Sequence, residues 1–469
     1  MNINSLSAGF LQPLPLLEDF RIYTSRYQGQ IAEDLFSGLG TRVESIIFYI
    51  NVLPELPRRL FYDCPQLKRL QLSDNYLTSL DLEFAPESKI KRLELDYNPL
   101  THLSRNLLIN LPELETLLLS HNNLTSLDLN FNSSKKLNRI TLRNTALTSL
   151  QDDAFSGLGN LKSLEIEGNE YLTEISENAF SPLENLRELV LLSNPKLVSN
   201  PNVFKWLPNL SRIFLDNGDQ NDVFPRMALM NFKSLQLLAV FNINLDAITK
   251  EHLAPVASQL NSLLLVNGNI ALITNDTFSE CTNLKTLSLS FKLGNESYRF
   301  ERNAFRGLSN LVEIELIDIN LKYIPEDFHL VFEPIKNASW IALDNNPIDC
   351  CYETVPKFAE WLRNNSNTNS IIYMECAEPP HLNGVDVMDL NVTSMLECEG
   401  NNVMLGNDKT TISTVVRTTG LPRAPSSALP KWVIVIIAVG SFFVFGIIIS
   451  LLVCCCCQRT MRQLQPDQM

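Results

Sequence analysis

Cysteine is the residue type whose grouping in this chain points most directly to chemistry. Cys64 and Cys281 stand alone, Cys350, Cys351, Cys376 and Cys398 cluster, and Cys454, Cys455, Cys456 and Cys457 are consecutive. The middle group reads as a disulfide-stapled cap, which requires an oxidising compartment. A bond between the neighbours Cys350 and Cys351 would be badly strained, so two of the three pairings remain open. Zinc binding by the same four is disfavoured by the long gaps and by the lack of His at ligand spacing. The consecutive run suits S-palmitoylation, since four adjacent residues cannot easily wrap a tetrahedral metal.

Other chemistry-bearing residues do not converge. His102, His121, His252, His329 and His381 are scattered, and no P-loop, HExxH or GxSxG is present. The expectation is therefore a chain that is not an enzyme and takes no cofactor or metal. Lys and Arg number 38 against 52 Asp and Glu, a net charge of −14, which argues against nucleic acid or anionic lipid as the main ligand. Eight N-x-S/T sequons, at Asn123, Asn132, Asn209, Asn275, Asn295, Asn337, Asn364 and Asn391, suggest N-glycosylation of a region outside the cell.

The elements that position these residues are set by an internal repeat. Residues 67–77 read LKRLQLSDNYL and fit LxxLxLxxNxL at every place; 90–100, 114–124 and 137–147 follow the same grid. The register restarts at Val43, Leu161, Leu186, Leu210, Leu235, Leu260, Leu284, Leu311 and Ala338, with a weaker copy at Leu17. In LxL the two leucines face one side of a short strand and the residue between them faces the other. Stacked strands form a parallel sheet, and the inward leucines build one core through the array. Ala154-Phe155, Ala179-Phe180 and Ala304-Phe305 fill the back of their coils. Cys64 and Cys281 occupy the place of Leu158, Leu183 and Leu308, and so read as small buried apolar residues.

The repeat Asn is supplied at 51, 75, 98, 122, 169, 194 and 346, whereas Thr145, Gly218, Ile243, Gly268, Lys292 and Ile319 replace it. Its amide suits bonds to backbone at the turn, so a change of curvature is expected after about residue 210.

This grid, followed by NPIDCCYETVPKFAEWLRNN and a closing Cys398, resembles the extracellular leucine-rich-repeat proteins with a C-terminal cysteine-rich flank. That class includes adhesion proteins such as chaoptin and connectin, Toll-type ectodomains and crustacean luciferase non-catalytic subunits. The resemblance covers roughly residues 17–398. It implies an α/β repeat solenoid, a horseshoe with a parallel concave sheet and a disulfide C-cap. It also implies that Cys350 pairs with Cys376 and Cys351 with Cys398. The chain departs from the class in having adjacent first cysteines and no N-terminal cysteine cap. Phe358, Trp361 and Leu362 recur at helical spacing on a cap helix opened by Pro356.

Val433 to Val453 is apolar without a single charge and spans about 31 Å as a helix, enough for one transmembrane crossing. The organisation read from sequence is an atypical N-terminal segment at 1–42, leucine-rich repeats at 43–345 and a cysteine-rich cap at 346–398. A Thr/Ser/Pro stalk at 399–432, a transmembrane helix at 433–453 and a cytoplasmic tail at 454–469 complete it. The first residues lack a basic n-region and a clean apolar stretch, so the sequence is expected either to begin upstream or to insert by its tail.

On the concave face, the early coils present polar residues: Lys68, Arg69, Gln71 and Asp74, then Lys91, Arg92, Glu94 and Asp96. From residue 186 the character changes. Val190, Phe214, Ala239 and Leu264 take the central place in successive strands, with Leu192, Phe241 and Val266 one column further out. These seven are expected to form an apolar patch for a protein ligand or another cell-surface receptor, with Phe214 and Phe241 as anchors; a second copy of the chain would serve equally. The leading reading is a type I single-pass plasma-membrane glycoprotein acting in adhesion or as a co-receptor. Two others are a non-catalytic scaffold subunit of an extracellular enzyme or immune complex, and a tail-anchored cytoplasmic repeat protein.

Overall fold

The computed structural model describes residues 5–390 and Cys398, apart from 7–10, 12–13, 15, 24–29, 39–40, 199, 217–228, 292–298 and 366–370. Its framework is one parallel sheet with a short strand per coil, running from Asp19–Tyr23 through Ser163–Glu167 to Ile371–Tyr373. The sheet therefore begins before Val43. The weak copy at Leu17 is a true coil, whose Phe20 and Ile22 pair in register with Ile46 and Phe48.

Strict alternation explains the core. Leu164 and Ile166 point inward and are fully buried, and they pair with Leu189 and Leu191 of the next strand. The same columns continue coil after coil into one cluster that also takes in Cys64 and Cys281. Burial raises both thiols to about 12, so they are held as neutral packing groups. The far side of most coils is closed by phenylalanines that pack on their counterparts, Phe155 on Phe180 at 6.0 Å and Phe278 on Phe305 at 6.1 Å between ring centroids.

At the end of each strand the chain bends through one left-handed residue. Asp74, Tyr97, His121 and Asn144 have φ of 56°, 58°, 57° and 49°, and Gly168 takes the same place at 68°. Non-glycine residues adopt this region only when their surroundings insist on it. Two constraints act here. The bent N–H donates to the next coil, as Tyr97 does to Ser120 O at 2.9 Å. The following Asn then ties two coils together: Asn98 Nδ2 donates to Leu72 O at 2.9 Å and to Leu95 O at 3.0 Å, while its Oδ1 accepts from Asn75 N at 3.2 Å.

In the coils of Ile243 and Gly268, which lack the Asn, a second ladder forms beyond the bend. Strand Ser262–Ile273 continues past its left-handed residue, Asn267, and pairs with Leu237–Phe241 on one side of it and Asn244–Ile248 on the other. These coils thus carry backbone pairing on both sides of the bend. A Cβ on Gly268, within that strand, would lie 2.8 Å from Ile243 O, so the close approach of the two coils needs glycine there.

The last coil is covered by helix Thr354–Asn365. It starts two residues before Pro356, which still sits in the first turn, where its missing N–H costs nothing. Phe358 and Leu362 are buried, and Phe358 packs on Phe332 at 5.0 Å. Cys350 is bonded to Cys376 and Cys351 to Cys398, the two pairings that the resemblance implies.

Candidate functional site

The outward face of the sheet, expected from sequence to be the concave one, is the surface that the whole array positions. Parallel pairing places Glu94, Leu118, Thr141, Glu165, Val190, Phe214, Ala239, Leu264, Ser288 and Glu315 in one central column. Three zones follow one another along it.

The first zone is a ladder of ion pairs. Arg69 and Arg92 both bring Nε onto Glu94 Oε1, at 2.8 and 2.7 Å. Arg139 and Arg143 converge on Glu165, the latter at 2.7 Å, and Arg143 also lies 3.1 Å from Glu167. Arg212 closes on Glu188 at 2.7 Å, and Ser163 Oγ donates to the same carboxylate at 3.1 Å. Burial raises Asp96 to about 6 even though the Ser120 N–H donates to it at 2.7 Å; nearby Glu94 adds to the shift. Burial likewise raises Glu167, with Arg143 opposing. On the bend beside them Tyr97 stacks on His121 at 4.0 Å, and burial, then Arg143, lowers the imidazole. Sequence reading found these residues polar but did not pair them. The signal was present as opposite charges at 24- to 26-residue spacing, as in Arg139 and Glu165.

The second zone is the apolar one. The register joins Val190, Phe214, Ala239 and Leu264 across four adjacent strands, and Leu192 lies beside them. Exposure differs from the sequence expectation. Val190, Leu192 and Ala239 are buried and Phe214 is only 5 % exposed, although none of the four belongs to the leucine core behind the sheet. Phe241, Leu264 and Val266 are half-buried. Side chains one strand apart are separated by only about 4.8 Å, so Val190 is held between Glu165 and Phe214. Phe214 is thus a packed residue and not an open anchor. Asp216 interrupts the outer column between Leu192 and Phe241 and accepts from Asn242 Nδ2 at 2.9 Å.

The third zone lies near the cap, where Glu313, Glu315, Trp340 and Tyr373 occupy neighbouring strands.

The remaining candidate residues fall outside these columns. Asn123, Asn132, Asn275, Asn337 and Asn364 are exposed, and Asn209 is half-buried with Nδ2 donating to Glu184 O at 3.0 Å. Asn295, Asn391, the 433–453 segment and Cys454 to Cys457 lie outside the described residues. Among the described residues no helix is long and apolar enough to cross a membrane, and no three His, Cys, Asp or Glu are grouped to hold a metal ion. The histidines sit in separate coils, where His252 Nδ1 accepts from Thr249 N at 3.0 Å to cap a short helix.

Comparison with known proteins agrees with this geometry. Residues 65–124 and 135–195 match the leucine rich repeat family, and residues 200–330 match the BspA type leucine rich repeat region. The chain is a leucine-rich-repeat protein. Keratocan of Bos taurus and keratocan of Mus musculus are each 28% identical to it over 177 residues, 37% of this chain and 45% of theirs. The chain thus spans less than half the length of these curated relatives. A leucine-rich-repeat protein of Leptospira interrogans has the same fold, with a TM-score of 0.51 at 21% identity over 80% of this chain and 93% of that one.

Proposed function

We propose that this chain is a single-pass cell-surface glycoprotein that binds a protein partner through its concave sheet, in adhesion or as a co-receptor. The observation that carries the reading is the uninterrupted sheet on which buried ion pairs give way to half-buried Phe241, Leu264 and Val266 in adjacent strands. Apolar side chains left partly open beside polar neighbours are the usual makings of a protein interface.

Two bonded cysteine pairs favour an oxidising compartment, and five exposed sequons agree with it. Likeness to keratocan over part of the chain fits the same setting. The 433–453 stretch would anchor the solenoid, and palmitoylation at Cys454 to Cys457 would tune its clustering. The partner is another cell-surface or extracellular protein, a second copy of the chain included.

Cells displaying the full-length chain should aggregate with partner-bearing cells. Phe241→Asp with Val266→Asp should abolish aggregation at unchanged surface level. Aggregation equal to wild type would sink the concave-face reading.

A further inference from the structure

The two ends of the concave sheet treat their carboxylates differently. In the first half Glu94, Glu165, Glu167 and Glu188 each lie against an arginine. Near the cap, Glu313, Glu315 and Asp344 form no ion pair with any described Lys, Arg or His. Their polar neighbours are hydroxyls, Thr286 Oγ1 donating to Glu313 at 3.4 Å and Ser288 to Glu315. Burial raises all three acids, and like charges add to it, Glu313 and Asp344 acting on Glu315, and Glu375 and Asp386 on Asp344. An arrangement of this kind costs the fold stability and returns none.

Aromatic rings stand directly beside these acids. Trp340 pairs in register with Glu313, Tyr373 with Ala342, and the two rings lie 4.9 Å apart. The Trp340 indole N–H is shielded from solvent and has no acceptor among the described residues.

We propose that this end of the concave sheet docks a basic, extended segment of the protein partner, with Lys or Arg side chains laid across the Trp340–Tyr373 rings toward Glu313, Glu315 and Asp344. The proposal rests on the concave face being the partner-binding surface and names the chemistry of what it binds. Ring faces attract cations and the aliphatic stems of Lys and Arg pack on them, which carries the charge to the carboxylates. A metal ion is a poorer occupant, since these acids are spread along the sheet and do not converge on one point.

The test measures binding of a fluorescent oligolysine peptide to the full-length chain in detergent by fluorescence polarisation. Glu313→Gln with Glu315→Gln should weaken binding about tenfold. Glu87→Gln with Glu170→Gln, which removes the same charge from exposed sites elsewhere, should leave it unchanged. Trp340→Phe should weaken it severalfold while keeping the ring. The Glu315→Gln chain should melt no lower than wild type, so that lost binding is not lost folding. Equal weakening by both double variants, no measurable oligolysine binding by wild type, or a lower melting temperature for Glu315→Gln would overturn the proposal. Should oligolysine fail to bind while Phe241→Asp still abolishes cell aggregation, this inference falls and the concave-face reading stands.

Discussion

The Glu165 carboxylate, 1 % exposed, lies 2.7 Å from the guanidinium of Arg143 on the preceding strand. Arg143 also neighbours Glu167, so one cation serves two buried acids. Removing it strands Glu167 and leaves Glu165 with Arg139 alone. Arg143→Ala should lower stability by about 3 kcal/mol or more, because an uncompensated buried charge costs more than the pair contributed. Adding Glu167→Leu to Arg143→Ala should recover part of that loss. Denaturation midpoints followed by circular dichroism decide the point, and a double variant no better than the single one would argue against it.

Asn98 is expected to matter more than its size suggests. It satisfies carbonyls of two coils and accepts from the backbone of a third residue, all within buried surroundings. Asn98→Leu leaves these groups without partners, at a cost on the order of 3 kcal/mol. A loss below about 1 kcal/mol in the same assay would mean the ladder is replaceable.

Asp96 gives the solenoid a pH dependence of definite sign. Its folded value is about 6 against an ordinary 3.8, chiefly because it is buried. Between those values the folded chain holds a proton that the unfolded chain releases, so stability falls as pH rises through the window and is flat above it. Glu167 and Glu315 shift in the same direction and add to the slope. Asp96→Asn should therefore raise the melting temperature at pH 7 and not at pH 4, while still accepting the Ser120 N–H. Identical melting profiles for variant and wild type would contradict this.

The cap disulfides close loops of 26 and 47 residues over the last apolar coil. Opening the first, by Cys376→Ser, frees a buried thiol partner and uncovers Phe358. A loss of about 3 kcal/mol is expected, seen as reduced secretory export and new protease sensitivity after residue 346. Normal export with an unchanged digestion pattern would show that the helix caps the array unaided.

The core was legible in the sequence because alternation in a strand leaves no choice: given Leu164 and Ile166 inward, Glu165 must face out. The coil at Leu17 was faint because Phe20 and Ile22 stand where leucines usually signal the repeat, although they pack in the same columns. Ion pairing was not legible, since whether Arg139 meets Glu165 depends on a strand register that sequence spacing only suggests. Exposure was the least legible property. Column membership of Val190 and Phe214 was read correctly, but their burial depends on the bulk of neighbours one strand away on both sides. The second ladder behind Ser262–Ile273 left only an indirect mark, the replacement of Asn by Ile243 and Gly268.

Ser288 lies half-buried in the central concave column, two residues before Ser290, so Ser288→Asn writes a glycosylation sequon directly onto the face in question. The full-length variant should run with one further endoglycosidase-sensitive glycan and lose cell aggregation, while wild type, whose exposed sequons all lie off this column, keeps it. A variant that gains the glycan and aggregates as well as wild type would contradict concave-face recognition. A chain with no endoglycosidase-sensitive glycan at all would contradict its placement outside the cell.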